Sequence, residues 1–177
     1  FPGICRNNLP ISEERTLNWI GGVGTGAYGA VKAALKHPDV FSKCIAMDGI
    51  FDMDRICKKA MAGEPTGIFH NEESLKAVFG DITAVAGSRN DVYALAEYCL
   101  TGEYYITGTA DSPYADERKR LAEALGGRAR YVETSGEIMN FTAPMVLKHA
   151  VEWLTDPDGE GTPEKEKENT REKEGGR

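Results

Sequence analysis

Residues 16–41, "TLNWIGGVGTGAYGAVKAALKHPDVF", place an apolar strand-like run, a glycine-dense turn and a helix-like run in immediate succession. No other feature of the 177-residue chain restricts its fold as strongly. A strand that runs straight into a helix implies a crossover unit, and such units assemble into a mostly parallel sheet flanked by helices. The pattern recurs along the sequence. Residues 16–23 read as a buried strand, 27–36 as a helix stopped at Pro38, and 43–49 as a second strand. The stretch 52–100 holds short helical pieces. Residues 103–109 read as a third strand and 114–126 as a helix with a glycine stop. Residues 128–134 are a fourth strand, and 143–154 are a last helix with Pro144 in its first turn. The fold class expected is therefore α/β.

Other features bound the function. The net charge is -7, which disfavours a nucleic-acid partner because such a partner calls for a basic face. No apolar run approaches the roughly 18–20 residues that span a bilayer, so no membrane segment is read. The four cysteines, Cys5, Cys44, Cys57 and Cys99, form no C-x-x-C pair and read as reduced thiols, with the cytoplasm as the default location. From Thr155 onward the sequence has no Val, Ile, Leu, Met or aromatic residue. Such a segment buries too little to offset its chain entropy, so 155–177 is expected to be a disordered charged tail. The opening "FPGICRNNLPISEERT" reads as the end of one element entering a strand, and upstream sequence is expected to be missing.

Two chemistries fit the glycine turn. Gly22, Gly24 and Ala27 match G-x-G-x-x-G/A, with Asp48 ending the next strand where a ribose-binding acid would stand. That reading makes the turn a pyrophosphate cradle at a helix N-terminus. Alternatively, Gly22-Val23-Gly24-Thr25-Gly26 has the frame of a nucleophile elbow, G-x-S-x-G, with glycine in the serine position.

The flanking sequence decides between them. "GGVGTGAYGAVKAALKHPDVFSKCIAMDGIFDMD" resembles the esterase family of α/β-hydrolases that includes esterase D (S-formylglutathione hydrolase) and bacterial tributyrin esterases. "AGEPTGIFHNEESLKAVFGD" is similar to the cap segment of the tributyrin-esterase branch, and "YYITGTADSPYADERKRLAEAL" to the strand, turn and helix that carry the triad aspartate. "YVETSGEIMNFTAPMVLKHAVEWL" is similar to the final strand, histidine turn and closing helix. The resemblance covers residues 8–154. It implies the carboxyl-terminal portion of an α/β-hydrolase over 1–154, with a helical cap at about 52–100 and no cofactor or metal.

The resemblance also implies residue roles. Asp111 stands at the triad acid position, and the Thr25 N–H at one oxyanion-hole position. Gly24 replaces the nucleophilic serine, and Glu137 replaces the histidine, in Ser135-Gly136-Glu137-Ile138-Met139. Loss of a triad serine or histidine lowers turnover about a millionfold in comparable enzymes. The chain is therefore expected to be a degenerate esterase, a pseudoenzyme with a site for a small ester or acyl ligand. Two alternatives stand beside it: an active carboxylesterase using unrecognised residues, and a dinucleotide-binding module on Gly22, Gly24, Ala27 and Asp48. A rescue is also conceivable in which Asp111 and Glu137 share a proton across the old triad or hold a metal.

Of the remaining candidates, all weaker, His37 and His149 read as structural, and for His70, in the cap segment, the lining of a substrate pocket is the lesser of two readings. Ser112 and Ser135 flank the triad turns without an elbow. Tyr28 reads as helix packing and Asp52 as a turn or cap residue. A sheet that lacks its earlier strands exposes an open edge, so a missing N-terminal segment or a homo-oligomer is expected to cover it.

Overall fold

A computed structural model describes residues 3, 12–67, 71–134 and 143–155. The chain divides into two compact units, Phe1–Ile138 and Met139–Arg177.

The first unit is built on a four-stranded sheet: β1 (Trp19–Val23), β2 (Lys43–Met47), β3 (Glu103–Thr109) and β4 (Ala129–Thr134). The strands lie in chain order, and each pairs parallel with the next. Helix α1 (Thr25–Lys36) connects β1 to β2. Its buried residues Ala27, Tyr28, Ala30, Val31, Ala34 and Leu35 recur at three- and four-residue spacing, so one face packs into the core. Between β2 and β3 come α2 (Met53–Met61), α3 (Glu72–Phe79) and α4 (Val92–Tyr98). Each starts on a side-chain cap: Asp52 accepts from the Arg55 N–H, Asn71 from the Ser74 N–H, and Asp91 from the Tyr93 and Ala94 N–H groups. Helix α5 (Ala115–Leu125) connects β3 to β4.

The register fixes where the strands stop. Val23 pairs with Met47, Met47 with Thr107, and Thr107 with Val132. The carboxyl ends of all four strands therefore reach one edge of the sheet, the edge at which open α/β sheets place their ligand crevices.

The first strand departs from the sequence expectation. Residues 16–23 do not form one buried strand. Arg15–Leu17 make a single 3₁₀ turn, and β1 alternates exposed and half-buried positions, with Trp19 at 39% and Val23 at 40% exposure. The cause is topology. β2 and β3 have a strand on both sides and helices over their faces, whereas among the described residues β1 pairs only with β2.

The second unit contributes α6 (Ala143–Thr155). Lys148 and His149 both lie within ion-pairing distance of Glu152, at 3.7 and 3.4 Å. Among the described residues no helix is long and apolar enough to cross a membrane. The expected tail at 155–177 lies, beyond Thr155, outside the described residues.

Candidate active site at the carboxyl edge of the sheet

Gly24 sits between β1 and α1 with φ 58 and ψ -122. This is left-handed backbone that a residue bearing a Cβ adopts only under strain. Its N–H donates to Met47 O at 2.9 Å, which ties the turn to the end of β2. The turn is tight because its neighbours lack side chains. A Cβ on Gly22 would stand 2.2 Å from Gly26 O, a forbidden contact. A Cβ on Gly24 would meet nothing within 4 Å. A side chain at position 24 would therefore project into open space above the sheet, as a nucleophile on an elbow must. Thr25 opens α1, and its N–H belongs to the first turn, whose amides have no partner within the helix.

Asp111 follows β3 in an exposed turn. That turn is closed by the Ser112 N–H on Thr109 O and by the Ala110 N–H on Thr134 O, each at 3.2 Å. β2 lies between β1 and β3, so the elbow and the acid turn are about 10 Å apart at the usual strand spacing. A triad bridges such a gap with an imidazole. Glu137, which the resemblance puts at the histidine position, lies outside the described residues, as do Ser135 and His70.

Asp48 lies in the gap, just beyond the end of β2. Its backbone is left-handed at φ 48, the only described residue other than glycine with positive φ. Its N–H donates to Thr107 O at 2.8 Å, and its carboxylate accepts from Arg118 Nη1 at 3.0 Å. The acid of the dinucleotide alternative is therefore engaged by the protein's own guanidinium.

Sequence reasoning missed Arg118 and its neighbour Glu117. Both are buried on α5, Arg118 completely. Arg118 Nη2 donates to Thr109 O at 2.6 Å, and Nη1 reaches Ser112 Oγ at 3.3 Å as well as Asp48. Glu117 Oε2 accepts from the Phe51 and Asp52 N–H groups at 2.8 and 2.9 Å, and Oε1 pairs with Arg55. A signal was present: Ala115, Arg118, Leu121 and Leu125 share helical spacing, so Arg118 falls in the apolar stripe of its helix.

Among the described residues, Tyr28, His37 and Asp52 make contacts that hold the fold. The Tyr28 hydroxyl donates to Asn90 O at 2.7 Å, and its ring meets Phe79 edge-on. Lys32 Nζ bonds Asn90 Oδ1 at 2.6 Å and lies over both rings, and desolvation holds its pKa below the ordinary value. His37 closes α1. A cavity of about 150 Å³ is lined by Phe51, Asp52, Val85, Asp91, Tyr93 and Arg120, among others. Its Asp52 pairs with Arg120, and its Asp91 caps α4, so those carboxylates are already engaged. Among the described residues there is no group of three or more His, Cys, Asp or Glu placed to hold a metal.

Known proteins share this architecture. An S-formylglutathione hydrolase from Staphylococcus aureus superposes with a TM-score of 0.70 at 19% identity, over 86% of this chain and 60% of its own. One from Agrobacterium tumefaciens gives 0.63 at 18% identity, over 89% and 55%. In sequence, an acetyl esterase from Caldicellulosiruptor saccharolyticus is 31% identical over 95 residues, 52% of this chain and 34% of the esterase. The chain carries an α/β-hydrolase fold. No protein-family model matches it. The aligned portion spans about a third of the acetyl esterase and little more than half of the hydrolase structures. The parallel strands and helices agree with the carboxyl-terminal portion of the fold.

Proposed function

We propose that this α/β-hydrolase portion is a degenerate esterase: a scaffold whose cleft suits a small ester or acyl group but which lacks the serine mechanism. The observation that carries this reading is Gly24. Its backbone is left-handed, the geometry an elbow requires, and the space for a side chain is open, yet glycine brings no attacking atom.

Acyl transfer on this scaffold needs a nucleophile, a base that takes its proton, and donors for the oxyanion. Glycine removes the first, and a carboxylate at 137 does not supply the imidazole that relays the proton. The Thr25 N–H remains as one oxyanion donor, and Asp111 as the acid with nothing to orient. What such a site retains is binding and weak electrostatic stabilisation, about a thousandfold over water in triad-deleted enzymes that keep a complete oxyanion hole.

The test is hydrolysis of p-nitrophenyl acetate by the purified chain. The expected outcome is no turnover that follows the protein through purification. Turnover that copurifies with the chain and is abolished by Asp111→Asn would establish an active carboxylesterase and overturn the reading.

A further inference from the structure

We propose that Arg118 is the positioning residue of the acid turn: buried beneath the carboxyl edge of the sheet, it fixes where Asp111 stands relative to the end of β2. The inference rests on the esterase-scaffold reading only in taking Asp111 as the acid.

Four observations converge on Arg118. First, the side chain is fully buried, and a buried guanidinium is tolerated only where acceptors meet it. Second, its acceptors come from two separate loops. Thr109 O and Ser112 Oγ bracket Asp111, while Asp48 Oδ1 belongs to the turn after β2. A planar fork of donors can hold both loops at once, as a lysine ammonium cannot. Third, space is reserved for it on β3, because a Cβ on Gly108 would lie 2.4 Å from Arg118 Cζ and Nε. Fourth, Asp48 adopts left-handed backbone in the conformation that delivers its carboxylate to Arg118. A purely packing role explains the burial. It does not explain why one guanidinium gathers the two loops that flank the elbow's cleft.

Hydrogen exchange on Arg118→Ala tests this without recourse to catalysis. The amides of Ala110 and Ser112, both hydrogen-bonded in the turn, are compared with the β2 amides of Ile45 and Ala46. Exchange at the turn should rise at least about tenfold, the equivalent of losing one charge-assisted hydrogen bond, with β2 protection unchanged. Guanidinium ion at low millimolar concentration, far below denaturing levels, should restore the turn by occupying the vacated site. Arg118→Lys should restore it only in part.

Unchanged exchange at the turn overturns the proposal. So does a uniform rise across turn and sheet that guanidinium does not reverse, since that marks a packing residue alone. Should Arg118→Ala fail to fold, Asp48→Asn, which keeps the shape and an accepting oxygen but removes the charge opposite Arg118, should still raise exchange at Ala110 and Ser112; no change there overturns the proposal equally. A negative result leaves the esterase-scaffold reading standing. An attacking group found elsewhere in the cleft would remove that reading while leaving the effect on the turn measurable.

Discussion

Restoring serine at position 24 asks the backbone to hold a Cβ at φ 58 and ψ -122. Nothing lies within 4 Å of that Cβ, so the perturbation is conformational and not a clash. Strained backbone of this kind costs about 1–3 kcal/mol. Replacing glycine also narrows the unfolded ensemble, which returns about 0.4–1 kcal/mol. A serine in this conformation does not cap α1, because a cap residue needs extended backbone. The net expectation is a loss of about 1–2 kcal/mol, or about 2–8 °C in Tm for a chain of this size. The assay is thermal and urea denaturation of Gly24→Ser beside Gly24→Ala. The two should fall together, since the strain belongs to the Cβ and not to the hydroxyl. A rise in stability for either, or a serine form far less stable than the alanine form, would refute the elbow geometry on which the rest depends.

Gly22→Ala should be far more damaging than either, since its Cβ would stand 2.2 Å from Gly26 O; soluble, cooperative unfolding of that variant would contradict the turn. Alkaline pH should destabilise the protein. Burial raises the pKa of Cys44 from 9.0 to about 12, and likewise raises Tyr28, Tyr93 and Tyr104 above 10.0. The folded state then binds more protons than the unfolded one above pH 9, so stability falls as pH rises, by up to about 1.4 kcal/mol per pH unit for each group; urea midpoints between pH 8 and 11 measure it, and a flat profile would count against those burials. For the same reason Cys44, 1% exposed, should resist iodoacetamide at pH 8 until the chain is unfolded, as peptide mapping will show. Amides along β1 should exchange faster than those of β2, because β1 is the sheet edge; strong protection there in a monomer would show that something covers it. Titration with NAD should give no saturable binding, since Asp48 is held by Arg118.

Much of this was legible in the residues themselves. The parallel strands followed from the alternation of strand-like and helix-like runs, because a strand that returns parallel needs a crossover, which a helix supplies. Spacing alone left the glycine turn open between phosphate cradle and elbow, since both demand glycines where a strand meets a helix. The structure adds the left-handed backbone at Gly24 and the close approach at Gly22, which no spacing pattern displays. The exposure of β1 was invisible to local sequence, because an apolar run says how a residue would like to be buried and not whether a neighbouring strand is there to do it. Arg118 was hidden by its charge: long basic side chains are normally surface groups, and only acceptors brought from two distant loops make its burial tolerable.

Reaction with a fluorophosphonate, followed by intact mass, tests the central claim most directly, because the reagent reports any activated hydroxyl wherever it lies. The account predicts an unmodified mass after prolonged exposure. A stoichiometric adduct on the native chain, absent after denaturation and mapped to a side chain near the elbow, would contradict it.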